Sequence, residues 1–478
     1  MKKKLEKFAD FASDVLPHEI AWLMQVQQFQ DADNREILQT IEHNCQHPRT
    51  PVAFRTAIDK RKYSNLKQWI QQRLDSIDVD KHLIHINQLD QKIMTDSISP
   101  AEEKVLLQAI ARYDRPEYYF TKFYELTLSY RQFLLIRMRY KDHHTVSQFI
   151  ERQRPNYEKS KEVFQKLHDA TLDITSQYAQ NTTESRQWEQ WLLDTFNDET
   201  LDGLNRYFAV VRLTFLYFNY SAFDKLKEVY DALDVLLKKG VFYSRRILFN
   251  YYANCVLLHS KFDVLQQAEE YGYLSIKQKN TDHLHYLNNY SAILLRQGKI
   301  HEALALMKQS FPSLRHTNNL RNKIGFMAFY IKCLNLNGQP ADGEKMADSF
   351  LRDNSKDILA HRWHIFFVAY FQSLVLQEKY DKLLKACRKF QLLHKEAEYQ
   401  ARPNYLPTLQ WYYHISRYVE NEIDDEQLVA KMVESGRPHF GNAHKQRLLL
   451  DLLAEVKSCI PHLCVRIKSM LLVSEISG

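Results

Sequence analysis

Between residues 211 and 387 one pattern recurs five times with a period near 40. Its turns align on Phe223, Phe262, Ile300, Pro340 and Tyr380, spaced by 39, 38, 40 and 40 residues. Ten positions before each anchor stand Leu213, Tyr252, Tyr290, Tyr330 and Tyr370, and six before it Tyr217, Val256, Leu294, Leu334 and Leu374. Three after it come Leu226, Leu265, Ala303, Gly343 and Leu383. A fixed period of this size marks a solenoid, in which each supersecondary unit buries its apolar face against its neighbours.

The composition agrees. At 478 residues the chain exceeds what one compact core organises, a limit that stacked units escape. Apolar residues make up 45%, while Gly numbers only 10 and Pro 12, too few turn formers for a strand-rich fold. The 28 Tyr and 26 Phe suit helix-on-helix packing. Net charge is +7, and the basic runs Lys2-Lys3-Lys4 and Lys60-Arg61-Lys62 are short, which reads as a solvated surface more than a nucleic-acid footprint.

Glu6 and Asp10 interrupt the segment where a signal peptide needs its apolar stretch. The most apolar segment, Trp363 to Leu376, contains His364, Gln372 and Ser373 and falls short of the roughly 18 to 20 residues that span a bilayer. It reads as a buried first helix of the last clear repeat. The expected location is the cytoplasm, with no membrane partner. Cys255 and Cys333 lie seven residues before their anchors and Cys387 seven after its own, positions that predict reduced, packed thiols.

Three regions follow. Residues 1–200 are helical but irregular and read as degenerate repeats. Val52 to Ile70 echoes the later units, with Tyr63 as anchor, Ala53 and Ala57 before it, and Leu66 and Trp69 after it. Ser99-Pro100-Ala101-Glu102 predicts a capped helix start. Phe120 to Tyr140 predicts one helix buried on most of its surface, and Asn181 or Thr183 a cap for the helix carrying Trp188, Trp191 and Leu192. Residues 201–395 hold the five clear units, with a link at Asp353-Asn354-Ser355. Residues 396–478 predict a terminal repeat and capping helices, with a helix start at Asp424-Asp425.

The third unit reads YLNNYSAILLRQGKIHEALALMKQSF. It resembles the tetratricopeptide repeat in Leu287, Tyr290 and Leu294 of the first helix, Gly298 in the turn, and Ile300, Ala303 and Leu304 of the second. The fourth unit keeps Leu334, Gly338, Met346 and Ala347, whereas Ser221, Ser260 and Glu378 replace the turn glycine elsewhere. The resemblance implies an all-α fold, a right-handed α-solenoid of TPR-like helix-turn-helix pairs whose first helices line a concave groove. Counting groove positions from each anchor gives Arg212 and Asn219, then Asn250 and Asn254, then His285, Asn288, Asn289 and Arg296, then Lys332 and Asn335, and last Gln372. Amide side chains pair with the backbone of an extended peptide, and cations hold a carboxylate. Ordinary solvated helix faces are the plain alternative reading of the same residues.

Catalytic patterns are missing: the chain has no Gly-rich phosphate loop, HExxH or GxSxG. His43 and His47 share a helix face but lack further ligands nearby, and Cys459, His462 and Cys464 lack zinc-site spacing, so no cofactor or metal is expected. The expectation is a non-enzymatic scaffold that binds a peptide or protein partner in its groove. Its rivals are a regulator that changes pitch on binding a peptide, with residues 1–200 as output, and a helical repeat that binds RNA or single-stranded nucleic acid.

Overall fold

The computed structural model describes residues 5–48, 50–180, 184–400 and 405–472. Among these the secondary structure is entirely helical, with no strand. The Lys2–Lys4 run and the caps expected at Asn181 or Thr183 lie outside the described residues. The chain divides into two compact units, residues 1–263 and 264–478. The division falls within residues 201–395, where the sequence pattern recurs.

The first unit runs α1 (Glu6–Ser13), α2 (Pro17–Val26), α3 (Ala32–Gln46), α4 (Lys60–Ile77), α5 (Val79–Met94), α6 (Pro100–Arg112), α7 (Phe120–Ile136), α8 (Tyr140–Gln180), α9 (Glu189–Asn197), α10 (Gly203–Asn219), α11 (Phe223–Lys238) and α12 (Arg245–Lys261). The sequence start of α6 is realised as a capping box: Ser99 Oγ accepts from the Glu102 backbone N–H at 3.3 Å and Glu102 Oε2 from the Ser99 N–H at 3.0 Å. The degenerate repeat expected at Val52–Ile70 has only its second helix. Residues 50–59 are non-helical; Pro48 and Pro51 stand where a first helix would run, and the Asn44 side chain bonds both Val52 N and Val52 O. The helix expected across Phe120–Tyr140 ends at Ile136, and Met138 turns the chain at φ 55°. That turn leaves Ile136, Met138 and Tyr140 exposed instead of buried.

α2 is docked by polar groups. Glu19, fully enclosed, accepts from the Tyr243 hydroxyl at 2.7 Å, the Arg245 guanidinium and the Leu16 N–H. His18 bridges the Tyr252 hydroxyl at 2.8 Å and Asp234 at 2.9 Å. Arg246 grips Asp80 with two nitrogens at 2.7 and 3.0 Å. The start of α12 thus holds α2 and α5 together, which is why the N-terminal helices and α10–α12 share one compact unit.

The second unit runs α13 (Leu265–Ser275), α14 (His283–Arg296), α15 (Ile300–Ser310), α16 (Leu320–Leu336), α17 (Pro340–Ala360), α18 (Trp363–Val375), α19 (Tyr380–Phe390), α20 (Leu392–Tyr399), α21 (Thr408–Val419), α22 (Asp425–Gly436), α23 (Ala443–Glu455) and α24 (Cys464–Leu472). α14 packs on α15 and α16, α16 on α17 and α18, and α18 on α19 and α21. Each helix thus touches its partner and the next first helix. Phe326, Phe366, Phe367, Phe371 and Trp411, all wholly buried, fill the space between them. α17 is broken at Asn354 (φ −130°, ψ 22°), at the link read from the sequence.

Four anchors open a helix: Phe223, Ile300, Pro340 and Tyr380. Two residues before each, the backbone turns through positive φ, at Ser221 (54°), Gly298 (74°), Gly338 (71°) and Glu378 (58°). Each turn carries the same closing bond from the next N–H to a carbonyl five residues back: Ala222 to Tyr217, Lys299 to Leu294, Gln339 to Leu334 and Lys379 to Leu374, all at 2.9 Å. The remaining anchor is displaced. Positive φ falls on Asp263 (58°), and α13 opens at Leu265, three residues after Phe262. The glycine is therefore dispensable to this turn, whose geometry persists on Ser, Asp and Glu.

Where the paired helices cross, the small residue does steric work. A methyl group on Gly343 would stand 2.6 Å from Asn335 Oδ1 and 2.9 Å from Ser373 Oγ. Those two atoms are themselves hydrogen-bonded at 2.7 Å. Among the described residues no helix is long and apolar enough to cross a membrane. All six cysteines are free, and Cys255, Cys333 and Cys387 are buried. Burial pushes the Cys333 thiol up to about 12.

Candidate functional site

The sequence candidates separate into three kinds of environment. In the first unit, Arg212 on α10 donates through Nε to Thr171 Oγ1 on α8 at 2.9 Å and through Nη1 to the Phe208 carbonyl at 3.2 Å. Its guanidinium lies 4.9 Å from the Phe208 ring, and burial pulls its pKa down. Asn219 donates to the Ile174 carbonyl on α8 at 3.0 Å. The 41-residue α8 packs on α10 and engages the two polar side chains counted as groove residues there. On α12, Asn254 donates to Asn250 Oδ1 at 3.1 Å, and the Tyr207 hydroxyl reaches the same oxygen at 3.4 Å. These two amides form a half-buried ladder along one face of α12.

In the second unit, Asn335 and Gln372 belong to the interior. Asn335 Nδ2 donates to the Ala369 carbonyl at 3.0 Å and to Gln372 Oε1 at 3.1 Å. Gln372 passes its own donor to Glu455 at 2.9 Å, and Glu455 also accepts from the Tyr412 hydroxyl at 2.7 Å. This chain of bonds, buried at Asn335 and Gln372 and reaching the surface at Glu455, ties α16, α18, α21 and α23 together.

The remaining residues converge. His285, Asn288 and Asn289 occupy one face of α14 at i, i+3 and i+4. Asn289 Nδ2 lies 3.5 Å from His285 Nε2 and donates to the unprotonated nitrogen. Burial lowers the His285 pKa, the Arg362 charge lowers it further, and Asp282 opposes both weakly. His285 is therefore neutral at pH 7. Asn288 is 2% exposed, yet neither its Oδ1 nor its Nδ2 has a hydrogen-bond partner. It faces Gly325 of α16: a methyl group built there would stand 3.0 Å from Asn288 Nδ2 and 2.8 Å from Arg362 Nη1. The bare α-carbon of Gly325 makes the room in which an amide and a guanidinium lie side by side. Lys332, two turns further along α16, is exposed, and Arg296 is half-buried in the last turn of α14.

Arg362 and Gly325 were absent from the sequence reading. Arg362 sits at the N-cap of α18 (φ −122°, ψ 37°), outside the helical count that located the others. A glycine inside a helix reads as a weak spot, and only the tertiary approach of Asn288 and Arg362 gives Gly325 a purpose.

Leaving an amide enclosed without partners costs about 1–3 kcal/mol for each unmet group, so the Asn288 position is not explained by stability. No family model, curated protein or solved structure matches the chain.

Proposed function

We propose that the protein is a non-enzymatic interaction scaffold whose second unit stacks TPR-like helix pairs as a right-handed α-solenoid. The face formed by α14, α16 and the start of α18 binds an extended segment of a partner protein. One observation carries this reading: the enclosed Asn288 amide, unpaired on both atoms, beside the Arg362 guanidinium and over the gap at Gly325. An extended peptide offers backbone N–H and C=O groups at short intervals, which pair with the half-buried Asn289 amide and meet Asn288 as the Arg362 side chain gives way. Arg362 adds a cation that suits a carboxylate on the bound segment. His285, Asn289, Arg296 and Lys332 extend the same polar face, and the helix-to-helix contacts supply a rigid frame. Asn250 and Asn254 offer a second amide pair on α12. Arg212 holds α8 in the same reading and contributes to frame more than to contact.

The test compares partners captured by the full chain and by the Asn288→Ala/Asn289→Ala/Arg362→Ala variant. Helical content and melting temperature are measured alongside. The expected result is loss of a specific partner with the fold retained. Recovery of the same partners in the same amounts would remove this face from consideration.

A further inference from the structure

A second site lies elsewhere in the second unit, where a cavity of about 570 Å3 opens among α20, α21 and α22. Its wall is built in advance. Tyr405 is 3% exposed, and its hydroxyl donates at 3.0 Å to Glu396, a carboxylate with no exposure at all. The edge of the same wall meets the His439 ring at 5.5 Å and 64°. Gln410 and His414 stand one helical turn apart on α21 and line the opposite side, and Gln400 closes the end of α20. His414 Nδ1 is enclosed and has no hydrogen-bond partner. The volume falls within the range of small-molecule sites, roughly 300–1,000 Å3.

The charges at the rim cancel. Lys431 and Glu434, both lining residues, stand 3.7 Å apart. Burial drives the His414 pKa down to about 4, with Arg417 and Lys431 adding to the effect and Glu434 opposing it. Burial and then Lys445 lower His439 likewise. Among the described residues Lys431 is the one lining cation, and it already stands beside a carboxylate. A cationic ligand would meet Lys431, and the charges of Arg417 and Lys445 act on the two histidines as well. What the cavity presents is ambivalent and neutral: two amides and two imidazoles, each offering a donor and an acceptor, against an aromatic ring.

We propose that this cavity binds a small, uncharged, planar heterocycle whose rim alternates hydrogen-bond donors and acceptors, with a purine base as the type. A glutamine amide pairs two-pronged with adjacent donor and acceptor positions on such a rim, as amides do with the edge of adenine. Neutral imidazoles supply either partner at the remaining positions, and the buried Tyr405 closes the wall behind them. The cavity adjoins the α14–α16–α18 face, since His364 at the start of α18 lies 3.8 Å from Glu396 behind its wall, but its lining residues are different and the proposal does not depend on the reading given to that face.

The full chain is titrated with adenine, guanine, adenosine and AMP by calorimetry. The expected result is 1:1 binding of a purine base or nucleoside at millimolar affinity or tighter. AMP is expected to bind no tighter than adenosine. His414→Ala and Gln410→Ala are each expected to weaken binding about tenfold through loss of a hydrogen-bonding group. Gln410 is half-buried on a helix surface, so its variant retains the fold and carries the test if His414→Ala does not. Affinity stays level between about pH 6 and pH 8, because His414 is already neutral there. The proposal is overturned if no base or nucleoside binds at millimolar concentration, if Gln410→Ala binds as well as the parent, or if AMP alone binds.

Discussion

Glu19 receives Arg245 through both carboxylate oxygens, Nε to Oε1 at 2.8 Å and Nη2 to Oε2 at 3.1 Å, with no part of the glutamate exposed. The Arg245 side chain is 38% exposed, so the pair is enclosed on one side only. That asymmetry sets the cost of breaking it. Arg245→Leu strands a carboxylate that water cannot reach and is expected to destabilise the first unit by about 3 kcal/mol. Glu19→Gln keeps an oxygen for the Tyr243 hydroxyl and leaves a guanidinium that still reaches solvent, for a cost of about 1–2 kcal/mol. Urea unfolding of the two variants measures both values. The reverse ranking would show that Glu19 is held by something other than Arg245.

The neighbouring pair makes the same docking depend on acidity. Burial pushes the Asp234 carboxyl up, but hydrogen bonds from His18 and Lys238 outweigh it and hold the group well below the usual carboxylate range. A carboxyl whose folded pKa is depressed contributes stability above its unfolded value of about 4 and loses it as the pH falls through the folded value. The urea midpoint of the parent should therefore fall below about pH 4, and Asp234→Asn should start lower and fall less over the same window. Equal slopes for the two proteins would remove Asp234 from the acid response.

The shared turn gives a cleaner case. Glu378 is exposed and holds φ 58°, where an L side chain is strained by about 1–2 kcal/mol, while Gly338 meets the same demand at 71° without cost. Glu378→Gly should raise stability by up to about 1 kcal/mol after the greater freedom of glycine in the unfolded chain is set against the relief. Gly298→Ala should lower it by about 1 kcal/mol, since nothing stands within 4 Å of the added methyl and only the backbone is strained. Thermal unfolding of the pair decides the matter; shifts of the same sign would contradict the turn assignment.

The helices and their interior positions were legible because their signal is local. Helical spacing placed Tyr252, Leu294, Leu334 and Leu374 in the interior, and all are buried. The start of α22 was equally readable, since Asp424 caps it by accepting from the Gln427 N–H at 2.9 Å. Two kinds of feature escaped. One is a shift in a turn that leaves the apolar pattern intact: Phe262 and Leu265 both satisfy the period, and only the positive φ at Asp263 says which opens the helix. The other is what lies opposite a face. Arg212 and Asn288 read alike as polar residues on a first helix. The first meets Thr171 and Ile174's helix, the second a glycine, and neither neighbour is written near it in the chain. For the candidate site, His285, Asn288, Asn289 and Arg296 followed from counting along α14 and Lys332 from counting along α16, but Gly325 and Arg362 required the packing.

Gly325 separates function from stability at that site. Gly325→Ala replaces the weakest ordinary helix former with the strongest, worth about 1 kcal/mol to α16 if the methyl found free space. The methyl would instead meet Arg362 Nη1 at 2.8 Å and Asn288 Nδ2 at 3.0 Å. Both atoms belong to side-chain ends, and Arg362 is long enough to swing aside, so the cost to the fold is small. The expected outcome is a melting temperature within a few degrees of the parent together with loss of the partner that the Asn288→Ala/Asn289→Ala/Arg362→Ala variant also loses. If the added methyl leaves that interaction untouched, the amide and guanidinium over α16 take no part in binding, and the partner must be sought on another face of the second unit.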